Sequence, residues 1–277
     1  MVVLEVQMNE YIKNMIEKYR LEGHSVPDMS LIKTPKQIEK IKAACKINTA
    51  VLDYVEANIK MGMSTQDIDD LVSSFTKESG AICAQLGYQG FPKSVCTSVN
   101  EEVCHGIPSR LKKLNDGDII NVDVSTILDG YYADASRMFE IGNVSEERKR
   151  LVRVTKECLQ LGINAAQAWG NIGDIGAVIS QHARKNGYSV VTQLGGHGIG
   201  LEFHEEPFVS HVGIKGTGML LVPGMIFTIE PMINVGVSDV VLDKYNGWTI
   251  YTRDGKDSAQ VEHQILITEE GPEILTY

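Results

Sequence analysis

Apolar positions recur at helical spacing in MNEYIKNMIEKYR, residues 8–20, where Met8, Tyr11, Ile12, Met15, Ile16 and Tyr19 predict one amphipathic helix. EGHSVPDMS breaks the pattern and reads as a linker. From Thr34 a long helix is expected, with Pro35 at its first position and Ile38, Ile41, Ala44 and Cys45 along one face. A second follows after Ser64, which stands before Asp67 and Ile68 as an N-cap would. Two more are expected over 145–169 and 171–187, the latter ended by Asn186 and Gly187. Short segments rich in Gly, Val and Ile lie between and after these helices. Strands interspersed with helix pairs indicate an α+β fold, its helices covering a mainly antiparallel sheet.

The pattern also echoes itself. LNDGDIINVD at 114–123 aligns without a gap to LVPGMIFTIE at 221–230, so that Asp123 matches Glu230, and an HGI triplet lies upstream of each, at 105–107 and 197–199. A duplicated half-domain is therefore expected, with the matched acids meeting at a shared site. Within the first half, Ile120, Val122 and Val124 alternate with Asn121 and Asp123, and Asp129-Gly130 is a two-residue hairpin turn. Pairing around that turn sets Asp123 opposite Ser136 with Asp134 diagonal on the same face, close enough for both carboxylates to reach one ion or two adjacent ions.

Composition narrows the function classes. In 277 residues, 26 Lys and Arg stand against 36 Asp and Glu, a net charge of −10 with no footprint for phosphate backbones or anionic lipid. Nucleic-acid binding is not expected. Apolar runs such as LLV at 220–222 are far shorter than the roughly 20 residues that span a bilayer, and no basic segment precedes the opening MVVL. A cytoplasmic protein is expected. Cys45, Cys83, Cys96, Cys104 and Cys158 form no CxxC pair, which argues for reduced, mainly buried thiols.

Candidate chemistry lies in the acids and histidines. GGHGIGLEFHEEP at 195–207 carries His197 and His204 where glycine lets the backbone approach a ligand. Glu230 ends the strand MIFTIE, and Glu262 interrupts SAQVEHQILIT, in which Val261, His263 and Ile265 alternate to the opposite face. An acid facing a core is costly unless paired, protonated or bound to metal. Two Asp, two Glu and one His form an oxygen-rich set that favours Mn(II), Fe(II), Co(II) or Zn(II), and five such ligands suit a pair of ions with a bridging hydroxide as nucleophile. His24, His182 and His211 are read as structural imidazoles.

VCHGIP (103–108), NVDVSTILDGYYADASRMF (121–139), GGHGIGLEFHEEP, GMIFTIEPM (224–232) and AQVEHQILIT (259–268) together resemble the type I methionine aminopeptidases, a likeness running over residues 32–277. It implies the pita-bread fold, two pseudosymmetric halves with a curved antiparallel sheet around a site for two divalent ions. By resemblance the metal ligands are Asp123, Asp134, His197, Glu230 and Glu262. Asp134 and Glu262 bridge the ions, Asp123 binds one, and His197 and Glu230 complete the other. His105 and His204 match the substrate-contacting histidines, and Glu230 the proton shuttle. The implied activity is removal of the first methionine from nascent chains when the second residue is small. Prolidases and aminopeptidase P carry an extra N-terminal domain. Type II enzymes insert a helical subdomain for which the spacing from His204 through Glu230 to Glu262 leaves no room. Eukaryotic type I enzymes add a zinc-binding region, and residues 1–44 hold no cysteine.

Tyr88, Phe91, Cys96, Phe203 and Trp248 match the methionine pocket. Gln85 stands where many bacterial members have cysteine, and Phe91 where many have tyrosine. Residues 1–31 form an extension without an assigned role. A monomer acting on nascent chains, free or at the ribosome, is expected.

Overall fold

Thr34 starts a helix for a local reason: its hydroxyl accepts the Gln37 N–H while the Gln37 side chain accepts the Thr34 N–H. Ser64 and Asp67 close the same reciprocal pair one helix later. The computed structural model describes residues 2–277, and side chains from Glu10 onward. Its first half runs α1 (Val2–Leu21), α2 (Pro35–Asn58), α3 (Thr65–Glu78), β1 (Ile82–Cys83), β2 (Cys96–Val99), β3 (Glu102–Cys104), β4 (Ile119–Leu128) and β5 (Tyr131–Glu140). The second half repeats the plan with α4 (Glu146–Ala165), α5 (Ile172–Lys185), β6 (Ser189–Val190), β7 (Gly196–Gly198), β8 (Glu205–Val209), β9 (Ile226–Ile229), β10 (Met232–Asn234), β11 (Val240–Leu242), β12 (Ile250–Thr252), β13 (Ser258–Gln260), β14 (Glu262–Thr268) and β15 (Gly271–Ile274).

The main sheet has the order β1-β4-β5-β14-β9-β7-β8, with β2 also beside β4 and β15 beside β14. Every ladder in it is antiparallel. Its centre, β4-β5-β14-β9, reads alike from either end when β4 is matched to β9 and β5 to β14. The gapless echo is thus structural: Gly117 and Gly224 both take left-handed φ, +92° and +94°, and each launches the strand that leads to Asp123 or Glu230. The HGI echo is not. With Asp123 matched to Glu230, the pair Val99–Ile120 matches Gly198–Phe227, so His197 corresponds to Ser98 rather than to His105. His105 lies one segment further out, where Gly106 leans on the Thr97 carbonyl so closely that a Cβ would stand 2.0 Å from it.

Each helix pair covers half of one sheet face. Ile120, Val122 and Val124 pack with Val51, Leu52, Ile68 and Val72 from α2 and α3, while Phe227 and Ile229 pack with Leu151, Cys158, Ile175 and Ile179 from α4 and α5. Each such side chain contributes roughly 1.5–3 kcal/mol of burial. The residues between them in sequence, Asn121, Asp123 and Ser125, face the other way. All five cysteines are free and buried.

Two helices differ from the sequence pattern. α1 buries Ile12 and Ile16 against the second-half core, and Tyr19 stacks on Trp169 at 5.5 Å, but Tyr11 is turned to solvent because only a narrow strip of the helix meets the body. Met8 lies outside the described side chains. α4 stops at Ala165 rather than 169: Ala166 leaves the helix with ψ +61°, Trp169 has φ +64°, and its N–H donates to the Leu221 carbonyl. That long-range hydrogen bond leaves no trace in apolar spacing. No described helix is long and apolar enough to cross a membrane.

Candidate metal and substrate site

Neighbouring strands bring the acids together. The hairpin register sets Asp123 opposite Ser136 and Ser125 opposite Asp134, as the turn chemistry of Asp129-Gly130 requires, with φ of +51° and +83° there. Ser136 in turn faces Glu262 on β14, and His263 faces Ile229, the residue before Glu230. Ligating atoms of Asp134, His197 and Glu262 all lie within 4.8 Å of one another. His197 Nε2 stands 3.8 Å from Asp134 Oδ2 and 3.7 Å from Glu230 Oε1, too far for hydrogen bonds.

Polar neighbours hold Asp134, Glu230 and His197 in place. Ser125 Oγ donates to Asp134 Oδ1 at 2.7 Å, Thr228 Oγ1 to Glu230 Oε1 at 2.9 Å, and Gln260 Nε2 to Glu230 Oε2 at 3.0 Å. Gln85 Nε2 donates to the Asp123 carbonyl at 2.8 Å while its Oε1 accepts the Ser125 N–H. Thr228 Oγ1 also accepts the His197 N–H, so one hydroxyl ties two candidate ligands. His197 Nδ1 lies 3.0 Å from the Gly198 carbonyl, which only accepts; the proton therefore sits on Nδ1 and the Nε2 lone pair faces the carboxylates.

Burial leaves these acids without compensation. It pushes Asp123 up to about 7 and Glu230 up to about 8, and it raises Asp134 and Glu262 well above the carboxylate range, neighbouring carboxylates adding to the last three. Burial, then His204, pushes His197 down to about 3. Among the described residues, no lysine or arginine lines the surrounding cavity, and buried Glu262 Oε1 has no hydrogen-bond partner. Four oxygen-bearing acids and one neutral imidazole around a gap suit divalent first-row ions, whose charge would supply the missing compensation.

The cavity, about 450 Å³, is floored by this cluster and walled by rings. Tyr88 packs on Phe203 at 4.7 Å and stacks on His204 at 5.2 Å; Phe91 meets Trp248 edge-on at 5.2 Å; Cys96 pairs with Asp123 across β2 and β4. His204 lies at the rim with its ring 4.1 Å from that of His197. His105 holds a left-handed φ of +56° and faces Trp248 at 6.2 Å. Burial pushes His105 down to about 4, with His204 a lesser cause, and burial lowers His204 too, so both are neutral near pH 7. All twelve residues expected at the site, from Tyr88 through Glu262, border this one cavity. His263 points to the opposite face, into a separate cleft with Arg137 and Tyr277.

Several contributors escaped the sequence reading. Thr228 and Gln260 each stand two residues before an acid on extended chain, a spacing that places them on its face and was available as a signal. His211 is the hydrogen-bonded structural imidazole the sequence suggests, buried and accepting the Glu230 N–H on Nε2 at 3.1 Å; only its partner was not legible.

Comparison with known proteins agrees with the geometry. Residues 39–269 match the model of metallopeptidase family M24. The chain is 52% identical over 241 residues to methionine aminopeptidase A of Synechocystis sp., covering 87% of this chain and 95% of that one. It is 46% identical to the methionine aminopeptidase of Escherichia coli K12, covering 88% and 93%. The crystal structure of methionine aminopeptidase from Rickettsia prowazekii superposes with a TM-score of 0.87 at 46% identity, covering 89% of this chain and 99% of that one. A donor set made for divalent ions thus sits in a chain whose sequence and fold match metallopeptidases along most of their length: it belongs to metallopeptidase family M24.

Proposed function

We propose that this chain is a type I methionine aminopeptidase, hydrolysing the first peptide bond of polypeptides that begin with methionine followed by a small residue. The observation that carries this reading is the convergence of Asp123, Asp134, His197, Glu230 and Glu262 within one cavity whose other walls are apolar rings. These five side chains would hold two divalent ions, cobalt, manganese, iron or zinc. When bound, the ions would polarise the scissile carbonyl and activate water as the nucleophile.

The remaining roles belong to the protein. His105 and His204, neutral by burial, hydrogen-bond around the scissile amide and steady the charge that develops on its oxygen. Glu230, its acidity weakened by burial, carries a proton toward the leaving amine. Tyr88, Phe91, Cys96, Phe203 and Trp248 enclose the thioether, for which soft aromatic and sulfur contacts are favourable. Residues 32–277 form the catalytic domain and residues 1–31 an appendage to it. The substrates are nascent chains in the cytoplasm, met as a monomer, free or at the ribosome.

The reading is tested with metal-stripped, then reconstituted protein on peptides beginning Met-Ala-Ser and Met-Lys-Ser. Cleavage of the first alone, lost in excess chelator and restored by a divalent ion, is expected. Equal cleavage of both peptides, or full turnover after verified metal removal, overturns it, and preference for Xaa-Pro peptides points to a prolidase-like enzyme.

A further inference from the structure

The segment that carries Phe203 and His204 is an excursion of the β7–β8 hairpin, whose ladder shifts register between His197 and Gly198. Its main-chain bonds lie near its start, where the Gly200 carbonyl accepts the Tyr132 N–H at 3.0 Å and the Gly200 N–H donates to the Glu202 carbonyl at 3.2 Å. Gly200 takes φ +130°, a conformation that side-chain-bearing residues rarely adopt, and lies against Ile41. What closes the excursion is the carboxylate of Glu205, next in sequence after His204. Its Oε1 accepts the N–H groups of Leu201 at 2.7 Å and Glu202 at 3.0 Å, gathering the loop around one oxygen. Its Oε2 pairs with Lys33 Nζ.

That lysine is an unusual residue to find here. Its side chain is 1% exposed, and Glu205 is its ion-pair partner. Lys33 is itself fixed: its N–H donates to the Gly224 carbonyl at 2.9 Å, Ile32 bridges Met225, and Thr34 begins α2. Gly224 launches the strand that ends at Glu230. The ammonium thus stands on a platform continuous with the acid-bearing strand and grips the loop that carries His204. A fully buried cation is costly in water-free surroundings unless paired, so the pair holds its geometry firmly.

We propose that Lys33 and Glu205 form a positioning pair that sets the His204 imidazole at the cavity rim. This rests on the reading of His204 as the group that meets the scissile amide. Neither side chain lines the cavity or belongs to the acid cluster, so both act only through the loop.

The test is a cycle between Lys33→Met and His204→Ala, read as kcat and KM on a Met-Ala-Ser peptide together with metal content by elemental analysis. Lys33→Met is expected to lower kcat by about 10- to 100-fold, the scale of a small misplacement, with KM and metal content near wild type. In the His204→Ala background the same substitution is expected to change kcat by about twofold or less, because the group it positions is gone. Wild-type kcat in Lys33→Met, or an equal fold-loss in both backgrounds, overturns the proposal. Wild-type kcat in His204→Ala alone removes the reading of His204, and the proposal with it. If Lys33→Met does not fold by circular dichroism, the charge-neutral pair Lys33→Met with Glu205→Gln takes its place in the cycle, since the glutamine oxygen still accepts both loop N–H groups.

Discussion

His204 and His263 each adjoin an acidic residue, and their surroundings separate them. His204 stacks on Tyr88 at the cavity rim, whereas His263 lies across the sheet from Glu262 and packs near Tyr277. Loss of a transition-state hydrogen bond costs ~10²–10³-fold in rate, so His204→Ala is expected to reduce kcat by that order with both metals retained. His263→Ala is expected to leave kcat unchanged and to lower stability by about 0.5–3 kcal/mol in denaturant titration, as for most point substitutions. Near-normal turnover in folded, metal-loaded His204→Ala refutes the first assignment. Thr228 offers a second contrast. Its hydroxyl accepts from the His197 N–H and donates to the Glu230 carboxylate, so Thr228→Val frees two candidate ligands at once. Loss of such outer-shell bonds weakens metal binding by ~10–100-fold, and calorimetric titration of the metal-free variant reads it directly. Affinity equal to wild type shows that Thr228 does not orient the ligands.

At the scale of elements, legibility followed the range of the interaction. The helix start at Thr34, the Ser64 N-cap with Asp67 and the Asp129-Gly130 turn act within a few residues, and all three appear where the sequence places them. The hairpin even carries its register, so Asp123 and Asp134 could be set on one face before any tertiary contact was known. The end of α4 depended on a hydrogen bond from Trp169 to Leu221, and the equivalence of the two HGI triplets failed on strand register. Neither is written locally. α1 shows the same limit: helical spacing found the helix, while the shape of the body selected Ile12 and Ile16 and left Tyr11 in solvent. If residues 1–31 are an appendage, Ile16→Ala loosens α1 without touching catalysis. The expected outcome is a loss of docking stability of about 2–5 kcal/mol, seen as faster limited proteolysis within this segment at unchanged kcat. A fall in kcat that parallels the proteolysis shows instead that α1 supports the site.

Across the whole molecule, the convergence of Asp134, Glu262 and His197 depends on β5 meeting β14 and β7 meeting β9, contacts between distant parts of the chain that spacing alone does not specify. The five motifs together point to the ligand set, but the energetic consequence requires the fold: four acids drawn onto one floor, three of them buried, with no lysine or arginine of the described residues lining the cavity. Burial holds Asp123 near 7 and Glu230 near 8, so the folded metal-free protein keeps protons that the unfolded chain releases at ordinary carboxylate values. Folded protein then binds more protons than unfolded, and stability falls as pH rises through that interval. The histidines, which partial or full burial keeps neutral, act oppositely. His197 and His211 near 3, and His105 and His263 near 4, bind fewer protons folded than unfolded, so stability rises with pH until the unfolded imidazoles are neutral. At about pH 6.5 half of the unfolded imidazoles still hold a proton, and over the next unit that residual gain fades while the four raised carboxylates keep protons that the unfolded chain has already released. The Tm of metal-free protein is therefore expected to fall between about pH 6.5 and about pH 8. Divalent ions bind the deprotonated acids, so the rise in Tm on adding saturating metal should be larger at the upper end of this window than at the lower. Differential scanning calorimetry at matched ionic strength, with and without manganese, measures both slopes. A metal-free Tm that is flat or rising across the window, or a metal-induced shift that does not grow with pH, shows that these acids are not held protonated by the fold and that their charge is compensated in some other way.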